Sequence, residues 1–106
     1  MINEYEGYLI DKLKYDWKSV LKYYGADTQM EKTREELKEL DEVLENWRTT
    51  EIFIFRRKVL EEGADVLNML AQLFISLDIS SVEVLSMMGA KMSRTVKRIR
   101  EEKQAK

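Results

Sequence analysis

Apolar residues along this chain recur every three or four positions, the spacing of helices that each turn one face toward neighbours. Tyr5, Leu9, Leu13, Trp17, Val20, Leu21 and Tyr24 share such a face over about residues 3–24. Gly25 then reads as a helix stop. A second helix is expected from Thr28, where Thr28 and Glu31 have the spacing of a capping box. Leu37, Leu40 and Leu44 line its apolar side, and the pattern fades near Trp47. Thr49 and Thr50 offer the next N-cap, with Glu51 placed to complement the helix dipole.

The third helix is expected from about Glu51 to Leu77, irregular where "IFIF", residues 52–55, favours strand. Ser80 and Glu83 form another capping-box pair. The fourth helix follows from about Ser81 to Glu102, with Val82, Leu85, Met88, Met92, Val96 and Ile99 expected to face inward. Neither an internal repeat nor a low-complexity linker interrupts the 106 residues. The pattern predicts one all-α domain, a four-helix bundle with short connections.

Composition narrows the chemistry. The chain has no cysteine, histidine or proline. Disulfides and thiolate chemistry are excluded, and the commonest zinc ligand and general base are missing. A bound metal must be held by oxygen, which favours magnesium, manganese or calcium. Proton transfer must fall to carboxylates, lysine, tyrosine or water. The N-terminus lacks an apolar signal region, and no run reaches the ~18 apolar residues of a membrane span. A cytoplasmic setting without a membrane partner is the expectation. The net charge of −2 does not suggest nucleic-acid binding.

The charge is uneven. Residues 59–90 hold Glu61, Glu62, Asp65, Asp78 and Glu83 without a lysine or arginine. Residues 91–106 hold seven cations, Lys91 and Arg94 first, against two glutamates. Such asymmetry belongs either to a solvated tail or to a metal and a polyanion held between opposite charges.

Carboxylates three apart share a helix face. Glu36 and Glu39 do so on the second helix, and Glu62 and Asp65 on the third. Facing each other in an antiparallel pair, the four would repel and raise one another's pKa, and a divalent cation would relieve that repulsion. Glu39 with Glu42 and Glu42 with Glu45 have the same spacing, so a solvated face accounts for the second-helix pair equally well. The third helix is more informative. Lys58, Glu62, Asp65, Asn68 and Gln72 form one polar stripe, and Val59, Val66, Leu67, Leu70, Leu73, Phe74 and Leu77 fill a wide arc around the rest. The stripe has no cation after Lys58, and a partly buried carboxylate without one is a site candidate. Gly63 lowers helix propensity by about 1 kcal/mol relative to alanine. It marks either a close approach by a ligand or a simple helix crossing.

"EELKE", residues 35–39, followed by "EGAD", residues 62–65, resembles the EExxE and ExxD pattern of the MazG-like all-α nucleoside triphosphate pyrophosphatases. The context "EEGADVLNMLAQL" is similar to that family's third core helix, and "KMSRTVKRI", residues 91–99, to the basic motif of its last helix. The resemblance covers roughly residues 20–100. It implies a single domain over residues 1–106, with an active site assembled between helices two, three and four. The implied reaction cleaves a nucleoside or deoxynucleoside triphosphate to monophosphate and pyrophosphate, in nucleotide-pool clean-up or control. Glu36, Glu39, Glu62 and Asp65 would then hold Mg²⁺, with Mn²⁺ as a substitute and Glu35 as a helper or alternate ligand. One carboxylate would orient or deprotonate the attacking water. Lys91 and Arg94 would meet the phosphates, with Asn68 and Thr95 as further substrate contacts. A homodimer or homotetramer is implied as well.

Thr95 stands where dCTP-hydrolysing relatives carry asparagine, and Asn68 and Met69 occupy the region of a tyrosine often found after ExxD. Nucleotide preference is therefore not implied. Trp17, Tyr23, Tyr24 and Trp47 are candidates either for base stacking or for the core, and Gln29 lies where the family often places a polar residue near the pocket. Asn68 fits either substrate contact or a buried polar neighbour. The competing readings are a non-enzymatic helical interaction module, docking through its acidic and basic faces, and the family fold without its activity.

Overall fold

The computed structural model describes residues 3–105. Its regular structure is four helices: α1 Glu4–Tyr24, α2 Ala26–Glu45, α3 Ile52–Ser76 and α4 Ser81–Ala105. The chain is all-α with short connections, as the periodicity requires.

The helix ends show which local signals act. Asn3 caps α1 by accepting from the Glu6 N–H at 2.8 Å. Gly25 both ends α1 and starts α2. Its N–H donates to the Leu21 carbonyl at 2.8 Å, and its own carbonyl accepts from the Gln29 N–H at 3.1 Å. A φ of 87° makes this double role available to glycine. Because the chain turns within one residue, α2 begins at Ala26, ahead of Thr28. The expected Thr28–Glu31 capping box therefore does not form.

The cap of α3 is Glu51, whose carboxylate accepts from the N–H groups of Phe53 and Ile54 at 3.0 and 3.4 Å. The expected threonine caps look the other way: Thr50 Oγ1 donates to the Asn46 carbonyl at 2.6 Å and closes the turn after α2. Residues 52–55 are regular helix rather than irregular. Their propensity penalty is below ~0.7 kcal/mol each, too small against a cap and a 25-residue helix. At α4 the Ser80–Glu83 box forms in both directions, at 2.7 and 3.2 Å.

Packing departs from the apolar pattern. α2 and α3 form the main helix pair, and α1 lies against both. The buried residues of α2 are Gln29, Thr33 and Glu36, and those of α3 are Val66, Met69 and Gln72. Val66 and Met69 are the buried hydrophobic residues among those described. Of the polar stripe of α3, Gln72 is buried and Glu62 and Asn68 are half-buried, while Lys58 and Asp65 stay exposed and Leu60 and Leu67 face outward. Leu37 and Leu44 of α2 are exposed too, as are Tyr5, Leu9 and Leu13 of α1.

The fourth helix is the largest correction. It leaves α3 through a bend of 116°. None of its Cα atoms lies within 8 Å of a Cα in another helix. Val82, Leu85, Met88, Met92, Val96 and Ile99, expected inside, are 43–70% exposed. The pattern specifies an apolar face on α4, but within one chain no helix covers it. Among the described residues no single helix is long and apolar enough to cross a membrane.

Candidate metal centre

The inner face of α2 repeats as Gln29, Thr33 and Glu36, spacings of four and three that keep all three on one side. Opposite, α3 presents Glu62, Val66, Met69 and Gln72. The helices run antiparallel, because Gln29 meets Gln72 while Glu36 meets Glu62. At one end Gln29 Nε2 donates to Gln72 Oε1 at 2.8 Å, and Gln72 Nε2 also donates to the Asn68 carbonyl at 3.2 Å. Further along the pair, Glu36 and Glu39 come together with Glu62 and Asp65. One carboxylate oxygen from each lies within 4.8 Å of all the others.

The surroundings of these acids differ. Glu36 is 6% exposed and Glu62 half-buried, whereas Glu39 and Asp65 lie open to solvent. Glu36 Oε1 pairs with Lys32 Nζ at 3.1 Å. This contact gives the group of four a basic neighbour on α2. The other oxygen of Glu36, and Glu62 Oε2, are buried without a hydrogen-bond partner. An unpartnered buried carboxylate oxygen carries a desolvation penalty of about 1–3 kcal/mol or more. Such a penalty points to a partner the protein chain does not supply.

The cluster also disturbs titration. The charge of Glu36 raises the pKa of Glu39 above the usual carboxylate value, helped by the closeness of the two carboxylates, by desolvation and by Glu62. Lys32 is held protonated more firmly than usual by its hydrogen bond to Glu36.

The donor set fits a hard divalent cation, for every ligand is carboxylate oxygen. Oxygens on opposite sides of Mg²⁺ stand about 4.2 Å apart, and around Ca²⁺ about 5 Å. The four oxygens, all within 4.8 Å of one another, are close enough together for one such ion.

A polar cleft of about 480 Å³ adjoins the cluster, lined by Glu39, Glu42, Glu62, Lys58 and the turn residues Asn46 and Thr50. Lys32 and Lys58 are the cations beside the acids that the sequence reading did not assign to the site. Their signal was present: Lys32 stands four residues before Glu36, and Lys58 four before Glu62, the spacing of helical ion pairs.

Other expected site residues lie elsewhere. Glu35 is exposed and 3.7 Å from Lys32, outside the group of four. Glu61 is exposed beside Arg57 and lines the cleft, outside the group of four. Lys91, Arg94 and Thr95 stand on α4, none of whose Cα atoms lies within 8 Å of a Cα in α2 or α3, so helix four does not join the acids within one chain. Thr95 Oγ1 donates to the Lys91 carbonyl at 3.1 Å. Asn68 Oδ1 accepts from Trp17 Nε1 at 2.9 Å, which makes it the partner of a half-buried indole. Gln29 is engaged with Gln72, Tyr23 stacks edge-on against Tyr24, and Arg48 lies over the ring of Trp47. A Cβ at Gly63 would meet nothing within 4 Å, so neither a helix crossing nor a close approach explains that glycine within one chain. Comparison with protein-family models, curated proteins and solved structures found no match to the chain.

Proposed function

We propose that the protein hydrolyses nucleoside or deoxynucleoside triphosphates to monophosphate and pyrophosphate in a Mg²⁺-dependent reaction, in a cytoplasmic role of nucleotide clean-up or control. The observation that carries the reading is the convergence of Glu36, Glu39, Glu62 and Asp65, with two buried oxygens left unpartnered. The spacing "EELKE" and "EGAD" supplies the reaction class. Mg²⁺, or Mn²⁺ in its place, supplies charge neutralisation at the phosphates and activation of water.

The chain's own groups divide the remaining work. Glu36 and Glu62 are the inner ligands, held by the α2–α3 contact. Asp65 and Glu39 face solvent, where a carboxylate can orient the attacking water and accept its proton. Lys58, in the cleft with Glu62, would meet a phosphate oxygen. The phosphate role implied for Lys91 and Arg94 needs α4 to reach an acid cluster, which it does not do within its own chain.

A panel of nucleoside and deoxynucleoside triphosphates incubated with the protein and Mg²⁺ tests this reading. Equal yields of pyrophosphate and monophosphate are expected. Asp65→Ala is expected to lower the rate on the order of 100-fold, the scale of losing one electrostatic stabiliser. No turnover across the panel, or turnover indifferent to Asp65→Ala, would sink it. The uncovered apolar face of α4 favours a second reading, a helical interaction module, which binds partners without hydrolysing anything.

A further inference from the structure

Lys32 stands one turn before Glu36 on α2, with its Nζ 3.1 Å from Glu36 Oε1 and 3.7 Å from Glu35 Oε2. Among the described residues it is the only cation paired with any of the four clustered acids. The two ends of this pair are unlike. The Glu36 side chain is 8% exposed, and a carboxylate so deep needs a compensating positive charge. The Lys32 side chain is 50% exposed, so its ammonium can exchange the carboxylate for water at little cost.

One ammonium does not complete the cluster. It holds Glu36 through Oε1 and leaves Glu36 Oε2 and Glu62 Oε2 buried without partners. A divalent ion carries twice the charge and can take oxygens from both helices at once. Held within a few ångströms of Glu36, the ammonium and that ion repel each other, so each weakens the other's hold. We propose that Lys32 is a tethered counter-ion of the metal centre. It neutralises Glu36 until a divalent ion binds, and then swings out to solvent on its flexible stem. A centre built this way binds its ion more weakly than four acids without the lysine, and keeps the α2–α3 contact stable when no ion is bound. Lys32 thereby sets the concentration at which the centre loads. The inference rests on reading the four acids as a metal centre, and is independent of the reaction carried out there.

Calorimetric titration with Mg²⁺, at fixed pH and ionic strength, tests it. Lys32→Met is expected to bind Mg²⁺ on the order of tenfold more tightly, the scale of removing a unit charge a few ångströms from a double one in near-water dielectric. The same variant's melting temperature without Mg²⁺ should fall, because Glu36 is left buried and uncompensated. A lysine with a purely structural role would give the second effect without the first. Lys32→Arg keeps the charge and should stay close to the wild type. Lys38→Met removes the same charge from the opposite side of α2, two residues past Glu36, and should shift the affinity less than about threefold. If Lys32→Met does not fold, the wild-type chain decides: acetylation of Lys32 relative to Lys38, mapped by mass spectrometry, should rise several-fold when Mg²⁺ saturates the protein. Unchanged or weaker Mg²⁺ binding by Lys32→Met, or Lys32 acetylation that Mg²⁺ leaves unaltered, would overturn the inference and leave the metal centre standing. A wild-type chain that binds neither Mg²⁺ nor Mn²⁺ would overturn the metal reading itself, and the inference with it.

Discussion

Glu36 and Glu39 stand three residues apart and behave differently, because one is buried and the other is not. Glu36 has one oxygen on Lys32 and the other on nothing, while Glu39 takes up the resulting repulsion as a raised pKa. The sign of the pH dependence follows. A carboxyl whose folded pKa lies above its unfolded value binds more protons in the folded state, so its contribution is full below the ordinary carboxylate range. That contribution is lost as pH rises through the elevated value. Metal-free protein is therefore expected to lose melting temperature through this group as pH rises from the ordinary carboxylate value through the elevated one. Mg²⁺ must displace the Glu39 proton, so its stabilising effect should grow over the same interval. Melting curves at several pH values, with and without Mg²⁺, measure both trends; a Mg²⁺ effect that shrinks as pH rises would contradict the assignment. At ten times its Kd a ligand stabilises by about 1.4 kcal/mol, several degrees for a domain of this size. Glu62→Gln removes one ligand charge and should erase most of that increment, which the same melting experiment reads.

At the scale of elements, α2 and α3 are registered by polar contacts. Gln29–Gln72 and the Asn68–Trp17 bond fix the register that brings Glu36 opposite Glu62. Gln72→Ala leaves the buried Gln29 amide without its partner and is expected to cost about 1–3 kcal/mol, seen as a lower urea midpoint. A loss below ~0.5 kcal/mol would show that water or a neighbouring chain satisfies Gln29 instead. The third-helix stripe running from Lys58 to Gln72 was legible in the sequence, since an acidic run without cations on an apolar helix is unusual chemistry. The burial of its Gln72 end against Gln29 was not legible, because periodicity shows that two faces differ and says nothing of which one meets a neighbour. Helix ends were legible where a single residue decides, as at Gly25 and in the Ser80–Glu83 box. They were not where two signals competed, as Thr28 with Gly25 and Thr50 with Glu51.

For the whole molecule, two buried hydrophobic residues among those described are a thin core for four helices. Small domains bury proportionally little surface even when closed. With the homodimer or homotetramer that the resemblance implies, folding and association are expected to be one event. The melting temperature is expected to fall by a few degrees for each tenfold dilution, and a scan over two decades of concentration checks this. The sequence by itself determined the four helices, their approximate bounds, the oxygen-only ligand chemistry and the pairing of acids three apart, because these depend on neighbours within one or two helical turns. Only the tertiary structure decided that the polar faces of α2 and α3 meet, that Lys32 and Lys58 stand by the acids, and that α4 departs uncovered. Those outcomes depend on which surfaces of distant segments come together, and at that range the summed packing of helices outweighs any local signal.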